Sequence, residues 1–314
     1  MGENRSKILI IGGTGWIGRY FVKASAAAGH QTFALIRPQT LSNPGTEKAA
    51  LLEDFKILGI TLLEGSLDDH ASLVDALKQV DVVISAVSHP EEQFPLIEAI
   101  KEAGTIKRFF PSEYGLDADR VTLLPPVQNA IGIKSRVRRA IEQAGIPFTI
   151  ATNTAFASIF LDHFWHWDYE TLPRDKVEFF GDGEGRVSFV YEQDIAKFVI
   201  KAVDDPRTLN KVLCIRPKLN FLSPKHVVSL WEQKLGHTLE KTYLSAEDML
   251  KKIAGPEGAA VVGHYTPNIM LAIRYAMFAK GEMDLEPLAH EVEAADLYPD
   301  VQYKTVEEFL ESSK

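Results

Sequence analysis

Lys7-Ile8-Leu9-Ile10-Ile11-Gly12-Gly13-Thr14-Gly15-Trp16-Ile17-Gly18 sets the expectations for the whole chain. An apolar run of strand length meets a glycine-rich turn, and a helical pattern follows over residues 16–28. Each glycine has a separate physical reason in such a turn. Gly12 lets the chain reverse, Gly15 lets backbone N–H groups approach a pyrophosphate, and Gly18 lets the helix pack on the strand. The helix N-terminus adds partial positive charge facing the phosphates. Gly12, Gly13, Thr14, Gly15, Trp16, Ile17 and Gly18 are therefore the expected core of a dinucleotide site. A glycine-rich turn with no ligand is the plainer alternative, and the strand–turn–helix context speaks against it.

The same alternation continues on the C-terminal side. Apolar runs of strand length occur at residues 7–11, 32–36, 60–63, 80–87, 108–110 and 147–151. Helical stretches separate them at 16–28, 47–58, 70–78, 93–103 and 130–144. Continuously apolar strands with helices between them imply a parallel sheet covered on both faces, an α/β doubly wound Rossmann fold. Beyond residue 153 the alternation breaks down. A helix is expected over 192–204, another after Ser223-Pro224, and a third after Ser245, with Asp248 placed as in a capping box. This divides the chain into a cofactor-binding region, 1–152, and a smaller, mostly helical substrate region, 153–314, whose strands partly complete the main sheet.

Composition narrows the function classes. Of 314 residues, 46% are hydrophobic and 25% charged, which excludes disorder, collagen-like repeats and a disulfide scaffold. A net charge of −9 with no long basic run argues against a nucleic-acid partner. The uncharged stretch 147–161, with its Thr, Asn and Ser residues, is too polar to span a membrane. A single cysteine, Cys214, cannot form an internal disulfide and points to a reducing compartment. With no secretory apolar run at the N-terminus, a cytoplasmic protein is expected. Met1-Gly2-Glu3-Asn4-Arg5-Ser6 also fits the myristoylation pattern formally, and reads as well as a short solvated arm.

The end of the second strand chooses the cofactor. NAD enzymes place an acid there for the ribose hydroxyls, whereas this chain has Ala34-Leu35-Ile36-Arg37-Pro38. A cation with no neighbouring carboxylate suits a 2′-phosphate, so NADPH is expected, held by Arg37. Lys48 is a second candidate cation, though a solvated charge explains it more simply.

The glycine string, together with Phe110-Pro111-Ser112-Glu113-Tyr114-Gly115 and Lys134 in Ile133-Lys134-Ser135-Arg136-Val137-Arg138-Arg139, resembles the plant phenylpropanoid reductases. These are the pinoresinol–lariciresinol, isoflavone and phenylcoumaran benzylic ether reductases, with eugenol synthases close by, and they are NmrA-like. The similarity continues through 202–211, Leu230-Trp231-Glu232 and Leu297-Tyr298-Pro299-Asp300-Val301. It implies an atypical short-chain dehydrogenase fold without the usual catalytic tyrosine, and no tyrosine here has a lysine four residues on. It also implies that Lys134 is catalytic, and that Ser85, Ser112, Glu113, Tyr114, Asn153 and Phe156 line the cofactor or the nicotinamide end of the pocket. Arg138 joins the expected cofactor set. In the mechanism so implied, Lys134 takes the proton of a para-phenol, the benzylic ether opens as a quinone methide, and NADPH reduces the benzylic carbon.

From pattern alone, Lys134 reads more simply as part of a solvated basic stripe with Arg136, Arg138 and Arg139. On a helix it shares a face with Val137, Arg138 and Ile141, so Arg138 and partial burial would both lower its pKa toward that of a base near neutral pH. Some positions depart from the family pattern. Tyr114 stands where phenylalanine is usual, segment 88–93 is shorter, and 37–48 is longer. Leu116 argues against a leucoanthocyanidin reductase. Phe160, Phe164, Trp165, Trp167 and Tyr169 form either a pocket wall or core packing. His163 and His166, with Asp162 and Asp168 nearby, more simply pack or hydrogen-bond than hold a metal, and Cys214 is expected to be a buried, inert thiol.

The expected partner is a small aromatic substrate, and the expected state a monomer or homodimer. Two alternatives remain within the family, an isoflavone reductase and a eugenol/isoeugenol synthase-type reductase. Another class is a non-catalytic NADP-sensing regulator, which would have no need of Lys134. A sugar-nucleotide oxidoreductase would want the missing Tyr-x-x-x-Lys pair.

Overall fold

The computed structural model describes residues 5–43, 45–125, 127–166, 170–255 and 267–313. Gly2, Trp167, Asp168 and Tyr169 lie outside these described residues.

The first five strands are β1 (Ile8–Ile11), β2 (Thr32–Ile36), β3 (Thr61–Glu64), β4 (Val82–Ser85) and β5 (Arg108–Phe110). They form a parallel sheet in the order β3-β2-β1-β4-β5. Crossing between them are α1 (Gly18–Ala27), the short α2 (Pro38–Ser42), α3 (Gly45–Ile57), α4 (His70–Leu77) and α5 (Gln93–Ala103). Strand β1 shows why its pattern is continuously apolar. Ile8 and Ile10 pack with Phe21 and Val22 of α1, while Leu9 and Ile11 pack with Leu73 and Leu96 from α4 and α5. Both faces of the sheet are thus covered, as a parallel sheet requires.

Helix α6 (Val127–Gln143) leads to β6 (Thr149–Thr152). A parallel bridge between Phe109 and Phe148 joins β5 to this strand. Strand β6 pairs in parallel with β10 (Lys211–Cys214), which pairs with β13 (Glu291–Glu293). The C-terminal half therefore supplies two strands to an extended sheet of order β3-β2-β1-β4-β5-β6-β10-β13. Helix α8 (Glu192–Ala202) closes one face by packing on α1.

The remaining elements follow β6 in the chain, and all but α12 pack around a second core. They are β7 (Ala155–Phe156), α7 (Ala157–Phe160), β8 (Lys176–Phe180), β9 (Val187–Val190), β11 (Phe221–Leu222), α9 (Pro224–Leu235), β12 (Glu240–Leu244), α10 (Ala246–Ala254), α11 (Pro267–Arg274), α12 (Ala294–Leu297) and α13 (Val306–Ser312). Two small sheets occur here, β11-β9-β7 and the parallel pair β12-β8. The Ser223 and Ser245 hydroxyls cap α9 and α10 by accepting from His226 N and Asp248 N. Phe160, Phe164 and Trp165 are buried in this region's core, and Trp165 Nε1 donates to Glu178 O at 3.0 Å. These three residues of the aromatic run are core packing rather than an open wall. No helix among the described residues is long and apolar enough to cross a membrane.

Candidate active site

Parallel strands point their carboxyl ends to one edge, and in doubly wound sheets ligands bind there, where the strand order reverses. Here the reversal lies between β1 and β4. The turn after β1 is built for close approach. Gly12 has φ +77°, and a Cβ on it would lie 2.5 Å from Ala86 O. A Cβ on Gly18 would lie 2.1 Å from Gly12 O, so no larger residue fits between helix and turn. Gly15 N closes the turn by donating to Gly12 O at 2.8 Å. Ile17 at the N-cap offers no side-chain acceptor, which leaves the first turn of α1 uncapped by any side chain. Thr14 and Ile17 are half-buried beside the turn, and Gly13 is buried against Val22. Trp16 is 45% exposed, and its ring meets Phe156 edge-on at 4.9 Å. That contact ties the glycine turn to β7, just past the end of β6.

Arg37 ends β2 as an exposed cation beside the same edge, followed by Pro38 at the start of α2. Lys48 lies on the exposed surface of α3. Ser85 ends β4, and its buried Oγ has no hydrogen-bond partner among the described residues. The same holds for Gln93 Nε2 and for both side-chain polar atoms of Asn153, just past β6. Leaving such groups unpaired costs about 1–3 kcal/mol each. A polar ligand along this edge would supply their partners. Gln93 carries no local sequence signal for this role, because it reads simply as the start of a helix. Its Oε1 accepts from Ser112 N at 2.6 Å, while Ser112 Oγ donates to Val87 O at 2.8 Å.

The loop after β5 carries Ser112, Glu113 and Tyr114. Lys134 projects from α6 to this loop, its Nζ donating to Glu113 O at 2.7 Å. Burial pushes the lysine below its ordinary pKa, and Arg138 acts in the same direction against the opposing Glu113 and Asp117 carboxylates. Burial, rather than Arg138, is the main cause. The basic stripe suggested by the sequence does not exist as one surface. Arg136 and Arg139 are exposed, whereas Arg138 is buried and bonded to Glu113, Asp117 and Asp119. The donors of Arg138 thus go to carboxylates of the chain itself. Tyr114 is buried against Phe21 at 4.6 Å, with its hydroxyl unpartnered among the described residues.

Other candidates resolve differently. Burial pushes the Cys214 thiol up to about 12. His166 Nε2 meets Glu178 O at 2.8 Å and its ring stacks on Phe180. No group of three potential metal-ligating side chains occurs among the described residues.

Comparison with known proteins gives a consistent set. The model of the NmrA-like family matches residues 4–310. Phenylcoumaran benzylic ether reductase POP1 of Populus trichocarpa is 51% identical over 97% of this chain and 98% of its own. Eugenol synthase 1 of Petunia hybrida is 49% identical, covering 98% of each chain. The solved structure of AtPrR2 with NADP+ and (+)pinoresinol superposes with a TM-score of 0.90 at 41% identity, covering 99% of both chains.

Proposed function

The chain belongs to the NmrA-like family and, within it, to the plant phenylpropanoid reductases, and on that premise we propose that it is an NADPH-dependent reductase of phenolic, phenylpropanoid-derived substrates, of the phenylcoumaran benzylic ether reductase type. One observation carries the chemistry. Lys134 is anchored at the same sheet edge as the glycine cradle, with its amine held at a backbone carbonyl and its pKa lowered by burial.

The cofactor residues fit a dinucleotide phosphate. The glycine turn gives the close backbone approach, Arg37 the cation for the 2′-phosphate, and Ser85, Ser112 and Asn153 polar atoms near the nicotinamide end. NADPH supplies the hydride when bound. Lys134 acts as general base, removing the para-phenol proton of the substrate; the electron pair flows through the ring and opens the benzylic ether as a quinone methide. Trp16 and Phe156, whose rings meet at 4.9 Å, would flank the cofactor where the cofactor region, 1–152, meets the substrate region, 153–314. The elements around the second core exclude water and hold the reacting carbons together. We further propose a cytoplasmic protein, monomeric or homodimeric; the single buried Cys214 and the net charge of −9 support this.

The test is NADPH oxidation across a phenylcoumaran dimer, pinoresinol, an isoflavone and a coniferyl ester, with NADH as control. Turnover of the phenylcoumaran with NADPH is the expected result. Turnover of the isoflavone or the coniferyl ester alone would move the protein to the isoflavone reductase or eugenol synthase branch. Tight NADPH binding with no turnover of any would favour the sensor.

A further inference from the structure

The carbonyl that holds Lys134 is itself held in an unusual place. Glu113 O accepts from Lys134 Nζ and also from Gly115 N at 2.5 Å, closing a three-residue turn about Tyr114, whose φ is +33°. Such a left-handed turn on a bulky residue costs of order 1–3 kcal/mol and persists only where its surroundings over-determine it. Several contacts do so here. Tyr114 N donates to Ala151 O at 2.9 Å, and Asn153 N donates to Gly115 O at 3.0 Å, which ties the turn to the end of β6. The Tyr114 ring packs on Phe21. Finally, the buried Glu113 carboxylate accepts from Arg138 Nε at 3.3 Å and Nη2 at 3.0 Å. Arg138 Nη1 reaches Asp117 at 2.7 Å and Asp119 at 3.2 Å.

We propose that Glu113 and Arg138 are positioning residues for Lys134, their buried ion pair clamping the strained turn so that the Glu113 carbonyl fixes the lysine amine at the sheet edge. This rests on the reading of Lys134 as the base. Arg138 lies one helical turn beyond Lys134, so a bare guanidinium there would repel a protonated lysine. The carboxylates around it cancel that charge while the rigid fork of the guanidinium sets the geometry. Both residues were expected in the cofactor site; the clamp instead engages them within the protein.

Charge makes the clamp testable by sign. The charges bearing on Lys134 are Glu113 and Asp117 from the loop after β5 and Arg138 from its own helix. The elements packed on α6 also carry Glu91, Glu92, Glu98, Lys101, Glu102 and Arg274, which the variants leave in place. Arg138→Gln removes a cation and uncovers the Glu113 and Asp117 carboxylates, and both changes favour the charged lysine. Glu113→Gln removes an anion and does the reverse. The acidic limb of the kcat/KM profile reports the base, so it moves to higher pH in R138Q and to lower pH in E113Q.

The experiment measures these profiles, kcat, and NADPH affinity by fluorescence titration for the wild type, R138Q, E113Q, R138K and K134A. A displaced lysine costs about 10- to 100-fold in kcat in R138Q and E113Q, with NADPH affinity unchanged. R138K keeps the limb in its wild-type place and recovers part of kcat. Limbs that stay put or move together overturn the proposal, as does NADPH affinity falling in step with kcat. If circular dichroism shows R138Q unfolded, E113Q and R138K carry the test with the same expected outcomes. Full activity in K134A would sink the base itself; an inactive K134A with unmoved limbs would sink only the clamp.

Discussion

Two groups of buried polar side chains sit on one edge of the sheet and are treated oppositely. Ser85 and Gln93 beside the strand reversal, and Asn153 past β6, carry buried polar atoms with no partner among the described residues. Between them, past β5, Arg138 donates to both Glu113 and Asp117. The first group is costly without a ligand, and the second is costly to disturb at any time. Unsatisfied atoms mark where a bound molecule completes the structure, whereas satisfied ones mark where the protein holds something still. Lys134 belongs with the closed group, since its amine donates to the Glu113 carbonyl.

That contrast can be broken most forcefully at the lysine. Lys134→Ala should lower turnover by about 100- to 10,000-fold, the contribution of a positioned base, while NADPH titration stays at wild-type affinity. Loss of cofactor binding instead would put the lysine in the cradle. Next in size is Arg138→Leu, which leaves buried carboxylates unpaired. A loss of about 3–5 kcal/mol in urea unfolding is expected, and a neutral result would mean that the closed group is not closed.

Arg37→Ala should weaken NADPH binding by about 1.5–3 kcal/mol, the scale of a charge-assisted bond, without touching NADH. Equal losses for both cofactors would remove the 2′-phosphate assignment. Ser85→Ala sharpens the comparison further, because deleting an unpartnered hydroxyl should leave the free protein as stable or up to about 1 kcal/mol more stable. The rise in Tm on adding NADP+ should shrink in the same variant. The smallest effect is at Cys214, where a thiol pushed up to about 12 should resist alkylation at neutral pH until denaturant is added.

Legibility followed locality. The glycine turn and the first six strands were readable because strand, turn and helix lie within a few dozen residues and each has its own spacing. The Ser223 and Ser245 caps were readable for the same reason. The clamp was not, since Glu113 and Arg138 are 25 positions apart and meet only because α6 returns across the end of β5. On the sequence, Arg138 looks like one more member of a solvated stripe. The sequence placed strands of the C-terminal half in the main sheet without their order; β10 and β13 are those strands, three or four residues long and far along the chain from β6, beside which β10 pairs. The aromatic run was ambiguous until Phe164 and Trp165 were seen under the core of the substrate region.

The parallel sheet has one further consequence, which concerns measurement. The glycine turn ends β1 and the carbonyl holding Lys134 follows β5, with only β4 between them. The ends of β1 and β5 are therefore two inter-strand steps apart, about 10 Å in all, an interval that hydrogen bonds rather than loops enforce. The sheet acts as a ruler between the glycine turn and the loop that holds Lys134. Relatives that differ in substrate can redraw the loops above it, but none can lengthen or shorten that interval without unpairing strands. A change of substrate on this scaffold must be made by moving the substrate to fit the ruler.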